Sequence, residues 1–318
     1  MTAPDAGTVM FYDVLPGVAL TRVAATGRLL PVAGPAGVAG LTDAQRESVA
    51  ILVTTANNGC DSAMLARLPG LRHVISLGAG LDKLDHAGLA ARAITLRPIG
   101  EALTDDVADL AMALAMMTGR RLVVADAYAR SGAWATAKTR YEPGLTLSGA
   151  TIGIAGLGRI GQAIAARAQA SRMKVVGLAR PSAEGLGFDL LPDMRALAEA
   201  SDFLVLVLPG GPGMRHVVGA AELAALGPKG VLVNVGRGML VDNDALIEAL
   251  ENGIIAGAGL DVLDGEPVVP ERLAKLPNVI LTPHIGGGTW GARARAAAIA
   301  DAEAMAALER LGFAAARS

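Results

Sequence analysis

Three segments late in the chain carry the residue types of a proton-transfer site. VLVNVGRGML places Arg237 just past an apolar run. GLDVLDGEP places Asp261 at the end of another run and Glu266 in the loop after it. LTPHIGGGT places His284 just past a third. An arginine can grip a carboxylate, a histidine can move a proton, and a glutamate can hold that histidine and favour its charged form. Beside a nicotinamide, this set is equipped for hydride transfer to an α-keto acid. The other histidines, His73, His86 and His216, show no partner pattern, and no Cys/His cluster suggests a metal.

A second constellation lies upstream. TIGIAGLGRIGQAIA contains G-x-G-x-x-G at Gly156, Gly158 and Gly161. In a chain with 40 glycines the motif alone is weak, but an apolar strand-like run precedes it and a helical pattern follows. Gly156 permits a tight turn, Gly158 lets a pyrophosphate approach the backbone, and Gly161 lets helix and strand pack closely. The helix N-terminus then offers free N–H groups to phosphates. Gly156, Leu157, Gly158, Arg159, Ile160 and Gly161 are therefore candidates to hold a dinucleotide. The next run, KVVGLAR, ends at Arg180, followed by Pro181 and Ser182. An NAD site usually places an acidic residue here for the ribose hydroxyl, whereas a guanidinium suits a 2′-phosphate. Arg180 and Ser182 thus point to NADP(H) as the preferred cofactor, with NAD(H) still admitted.

Such residues need elements that bring them to one edge of a sheet. Strand-like runs fall at 9–12, 51–54, 73–76 and 93–96, with helical patterns near 42–48, 61–68 and 86–92. The segment TDDVADLAMALAMMTGRR, residues 104–121, reads as a buried helix joining two domains. Thr104 is its expected N-cap, Asp105 and Asp106 lie in its first turn, and Arg120 and Arg121 lie at its far end. A second series of runs follows at 151–155, 174–178, 203–208, 231–234, 257–261 and 279–281. Six strands separated by helical patterns predict a doubly wound parallel sheet, whose ligands bind beyond the carboxyl ends of the strands. The tail, residues 289–313, is Ala-rich and helical.

Composition excludes several classes. A length of 318 residues implies about two domains. With 52% hydrophobic and 18% charged residues, the chain can bury a sizeable core. A net charge of -2 gives no electrostatic footprint for nucleic acid or an anionic membrane. Mean hydropathy is +0.45, yet no uncharged apolar run reaches the roughly 20 residues of a membrane span. The N-terminus carries Asp5 and Asp13 and lacks a basic leader segment. Cys60 is the single cysteine, which suits a reducing compartment, so the expectation is a cytoplasmic protein.

Taken in order, TIGIAGLGRIG, NVGRG, GLDVLDGEP and TPHIGGGT, together with LGAGLDKLD and the TDDVAD helix start, resemble the D-isomer-specific 2-hydroxyacid dehydrogenases over nearly the whole chain. Arg180 and the absence of a C-terminal extension are most similar to the NADPH-dependent glyoxylate/hydroxypyruvate reductases of that family. The resemblance implies a Rossmann cofactor domain, 99–284, inserted into a flavodoxin-like substrate domain, 1–98 with 285–318. It implies reduction of a small 2-keto acid to a D-2-hydroxy acid. His284 would protonate the carbonyl oxygen and Glu266 would pair with it. Arg237 would bind the substrate carboxylate, helped by backbone N–H groups of Leu77, Gly78, Ala79 and Gly80. Asp261 would hold the nicotinamide carboxamide, Thr104, Pro209 and Val235 would complete the cofactor-binding set, and the chain would form a homodimer.

Two departures stand out. Relatives often have Pro-Leu-Thr where this chain has Pro209-Gly210-Gly211-Pro212, and Trp134 lies in an Ala-rich version of the dimer arm. Trp290 either lines the substrate pocket or packs the tail helix. The alternatives are the same chemistry on phosphoglycerate or a bulkier 2-keto acid, and a non-catalytic dinucleotide-sensing protein.

Overall fold

Runs of apolar, β-branched residues separated by helical patterns build two all-parallel sheets. The computed structural model describes residues 7–13, 15–136, 141–211 and 213–313. The chain divides into two compact units, Met1–Leu103 with Gly287–Ser318, and Thr104–Gly286.

The first unit holds β1 (Thr8–Tyr12), β2 (Leu29–Val32), β3 (Val49–Thr55), β4 (His73–Leu77) and β5 (Thr95–Pro98), in the order β2-β1-β3-β4-β5. This is the flavodoxin-like order. All seven residues of β3 are buried, as expected of a central parallel strand covered on both faces. One face is covered by the tail helix Trp290–Arg310, whose Ala296, Ala300 and Ala304 recur every fourth residue and pack into one core with Val9, Ile51 and Ile75. The helices Gly34–Ala39, Ser62–Arg67 and His86–Ala91 contribute Val38, Leu65 and Leu89 to the other core.

The second unit holds β6 (Thr151–Ala155), β7 (Lys174–Leu178), β8 (Asp189–Leu191), β9 (Phe203–Leu206), β10 (Val231–Asn234), β11 (Gly257–Leu260) and β12 (Val279–Leu281). Their order is β12-β11-β10-β9-β6-β7-β8, so the chain reverses direction between β6 and β9. That switch point is where an open parallel sheet binds ligands. The helix Thr104–Gly119 packs along β10 and β11 and against the helix Arg159–Ala170. Arg167 ties the two helices, with Nε 2.6 Å from Asp109 Oδ1 and Nη2 3.1 Å from Asp105 Oδ1.

Several expectations need correction. The second sheet has a seventh strand, β8, which is only three residues long with no fully buried position, so it carries no apolar run to find. In the first sheet β2 escaped notice. It is an edge strand, and Pro31 within it pairs with Phe11, the one setting in which proline fits a ladder. Thr104 does not cap its helix from outside but continues directly from the 3-10 turn Gly100–Leu103. That turn belongs to the first unit: Ala102 is buried in the core of the tail helix, and its carbonyl accepts from Arg295 Nε at 3.1 Å. The helix expected to run to Arg121 ends at Gly119, because Arg121 adopts a left-handed φ of 53° and starts a second helix, Leu122–Arg130. Pro212 lies outside the described residues.

Candidate active site

β10, β11 and β12 are neighbours, so the residues just past their carboxyl ends share one edge. Past β10, the buried side chain of Asn234 clamps the turn: its Nδ2 donates to Arg237 O at 2.9 Å and its Oδ1 accepts from Gly236 N at 3.0 Å. The turn thereby presents Arg237, which is partly exposed, at the head of the 3-10 turn Gly238–Leu240. Gly238 has no room for a side chain. A Cβ there would lie 1.9 Å from the carbonyl carbon of Leu263, so the Arg237 turn and the loop leading to Glu266 touch backbone to backbone.

Past β11, Asp261 is buried and its carboxylate builds the turn that holds the histidine. Oδ1 accepts from the Thr282 hydroxyl at 2.6 Å and from Ile285 N at 2.8 Å, and Oδ2 accepts from Gly286 N at 2.8 Å. His284 N donates to Asp261 O at 2.9 Å. These bonds hold His284 at a φ of 54°, a left-handed conformation that costs a non-glycine residue about 1 kcal/mol or more. Nδ1 of His284 then lies 2.7 Å from Oε1 of Glu266. The second carboxylate oxygen, Oε2, accepts from Leu263 N at 3.2 Å. With Nδ1 engaged, Nε2 is the nitrogen left to exchange a proton with a substrate. Side-chain exposure is 32% for His284 and 40% for Glu266, so the pair is reachable from solvent.

The glycine loop joins β6 to the helix Arg159–Ala170. Gly156 has a φ of 112°, and a Cβ on Gly161 would lie 1.8 Å from Gly156 O. Gly158 caps the helix without a side chain, and a Cβ on it would meet nothing within 4 Å. A dinucleotide pyrophosphate fits this cradle: the surface above Gly158 is open, and the first N–H groups of the helix have no side-chain cap. Leu157 is buried and packs toward Gly177 of β7, so only its backbone is available to a ligand. Arg159 is exposed and Ile160 half-buried. Arg180 and Ser182 are exposed just past β7, next to the loop's own strand. Pro209 is exposed beyond β9, Val235 is buried beyond β10, and Thr104 is half-buried at its helix start.

Leu77 ends β4 and is buried, and Gly78, Ala79 and Gly80 turn out of the sheet after it. They lie in the first unit. Sequence reasoning missed Asn234 and Thr282, whose roles are hydrogen bonds to nearby backbone or carboxylate. It also found no partner for His216, which lies 3.5 Å from Asp242 and 3.6 Å from Asp264.

A glycine cradle at the switch point of a parallel sheet, with a His–Glu pair at the carboxyl ends of neighbouring strands, defines a dinucleotide-dependent oxidoreductase. Residues 112–286 match the D-isomer specific 2-hydroxyacid dehydrogenase, NAD binding domain. The chain is 41% identical over 249 residues to glyoxylate/hydroxypyruvate reductase A of Arabidopsis thaliana, covering 78% of this chain and 79% of that one. It is 40% identical over 245 residues to hydroxyphenylpyruvate reductase of Plectranthus scutellarioides, covering 77% and 78%. Among solved structures, the NADPH-dependent glyoxylate/hydroxypyruvate reductase of Sinorhizobium meliloti in complex with NADP and malonate superposes with a TM-score of 0.84 at 37% identity, covering 93% of this chain and 92% of that one. The chain belongs to the D-isomer-specific 2-hydroxyacid dehydrogenases. It is an NAD(P)-dependent enzyme that reduces 2-keto acids.

Proposed function

We propose that the enzyme reduces glyoxylate or hydroxypyruvate to the D-2-hydroxy acid with NADPH as its preferred reductant. The observation that carries this reading is the 2.7 Å contact between His284 Nδ1 and Glu266 Oε1, joined to an arginine rather than an acid at position 180. The reduced nicotinamide, when bound, supplies the hydride. The protein supplies everything else. Arg237 pairs with the substrate carboxylate and polarises its carbonyl. His284 donates the proton on Nε2 to the carbonyl oxygen, and Glu266 stabilises the charged imidazole and fixes its ring. The cradle at Gly156, Gly158 and Gly161 holds the pyrophosphate, and Arg180 with Ser182 receives the 2′-phosphate. Asp261 Oδ2 carries one bond and keeps a lone pair for the carboxamide.

We also infer a cytoplasmic homodimer. The helix Leu122–Arg130 buries none of its residues, and Leu122, Val123 and Trp134 are 44%, 50% and 77% exposed, an apolar surface suited to a second copy. The Cys60 thiol is buried, and burial pushes its pKa up to about 12, so it stays a thiol in a reducing compartment. No helix among the described residues is long and apolar enough to cross a membrane.

The test is loss of reduced-nicotinamide absorbance with NADPH and NADH in parallel against glyoxylate, hydroxypyruvate, pyruvate and hydroxyphenylpyruvate. Faster turnover of either of the first two with NADPH is expected. Preference for hydroxyphenylpyruvate would move the substrate to the bulkier class, and preference for NADH would remove Arg180 from cofactor choice.

A further inference from the structure

Glu266 is placed by a loop. β11 ends at Leu260, and no regular element intervenes before the helix Glu271–Ala274. The loop's internal bonds, Leu263 N to Glu266 Oε2 at 3.2 Å and Glu266 N to Leu263 O at 3.2 Å, set its shape but not its position. Its position is set through Asp264. The carboxylate Oδ2 of Asp264 accepts from Arg215 Nη2 at 2.8 Å, and its backbone O accepts from Asn243 Nδ2 at 3.0 Å. His216 lies between two carboxylates, with Nε2 3.6 Å from Asp264 Oδ2 and Nδ1 3.5 Å from Asp242 Oδ2.

Arg215 and His216 are anchored in turn to the segment that follows Arg237. His216 N donates to Met239 O at 2.8 Å, and Val218 bridges to Val241. His216 holds a left-handed φ of 55°, a conformation that its backbone bond and two carboxylate neighbours offset. From the other side, Gly238 presses on the loop: its Cβ would lie 2.3 Å from Asp264 N. One strip of chain, residues 215–218, therefore braces both the Arg237 turn and the Glu266 loop.

We propose that Arg215 and His216 are positioning residues for the reduction: through Asp264 they hold the loop that presents Glu266 to His284. This role rests on the catalytic pairing of His284 and Glu266. Magnitudes separate it from a surface ion pair of no consequence. Arg215 is 59% exposed, so its pair with Asp264 adds little to stability. A displacement of the catalytic carboxylate by about 1 Å, however, can cost up to about 100-fold in turnover.

The experiment compares Arg215→Ala, Asp264→Ala and Arg215→Lys, each alone and combined with Glu266→Gln, using NADPH with hydroxypyruvate or glyoxylate. The readouts are kcat, KM, NADPH Kd and melting temperature. Arg215→Ala and Asp264→Ala should lower kcat about tenfold, with KM and NADPH Kd nearly unchanged. Arg215→Lys should recover most of kcat, since the cation remains. In the Glu266→Gln background neither alanine variant should lower kcat further, because the carboxylate they position is gone. An unchanged kcat in both alanine variants, or equal falls with and without Glu266, would overturn the positioning role alone. An unchanged kcat in Glu266→Gln itself would overturn the catalytic pairing and the positioning role with it.

Discussion

His284 and its neighbours show how much a site depends on groups that do no chemistry. The strained backbone of His284 is held by the Asp261 carboxylate, and the Arg237 turn by the Asn234 amide. The pairing of His284 with Glu266 was legible in the sequence, and Arg237 stands as a candidate beside them, because their types and their places past apolar runs limit what they can do. Asn234, Thr282 and Asp264 were not, since a bond to nearby backbone, to a carboxylate 21 residues away or to a guanidinium 49 residues away leaves no type or spacing signal. His73 gives a prediction at the same scale. It is 4% exposed at the start of β4, and burial lowers its pKa below the ordinary 6.5 more than Glu303 raises it. Nε2 lies 3.3 Å from Glu303 Oε1, an oxygen that Arg310 Nη2 already holds at 2.6 Å. Below about pH 6.5 the unfolded chain therefore binds a proton that the folded chain resists. Stability should fall as pH drops through that window. Urea unfolding at pH 7.5 and 5.5 checks this: the drop should shrink in His73→Gln, and an undiminished drop would remove His73 as its source.

At the scale of elements, strands that carry a plain apolar run read clearly, the edge strand β12 included: β6, β7, β10 and β12 lie where the apolar runs begin and end. The edge strands β8 and β2 did not, since β8 has three residues with no buried position and β2 contains Pro31. The glycine loop was legible because Gly156 and Gly161 answer steric demands of the fold and Gly158 leaves open the surface that a pyrophosphate would approach. Gly161→Ala would place a methyl against Gly156 O, so the helix must move off β6. NADPH affinity should fall about tenfold or more, as read by fluorescence titration. Asp301, on the tail helix, was invisible in sequence. Its carboxylate is buried and accepts from Arg22 N at 2.9 Å and Val23 N at 3.0 Å, capping the short helix Thr21–Ala25 across 278 residues of chain. Asp301→Ala leaves those donors without an acceptor and should cost about 2–4 kcal/mol in urea unfolding, with kcat of the folded fraction retained. A loss within about 0.5 kcal/mol would contradict the cap.

At the scale of the molecule, two parallel sheets, one interrupted by the other in sequence, were readable from the order of motifs. The unit boundaries depend on which core a turn joins: Ala102 packs with the tail helix, so Leu103 ends the first unit. Cofactor choice belongs here too, because the proposed reading assigns it to one exposed position, Arg180, beside the glycine loop. Arg180→Asp should exchange a 2′-phosphate partner for a ribose-hydroxyl partner. The ratio of kcat/KM for NADPH over NADH should fall by at least about tenfold. An unchanged ratio would place the 2′-phosphate elsewhere.

In the proposed function His284, oriented by Glu266, is the acid of the reduction. Its most direct test is single-turnover oxidation of bound NADPH by hydroxypyruvate or glyoxylate in wild type and His284→Ala, with NADPH Kd measured on both. The rate should fall about 100-fold or more in His284→Ala, with NADPH Kd nearly unchanged, since the glycine cradle is separate from the histidine turn. Retention of most of the rate in His284→Ala would contradict it.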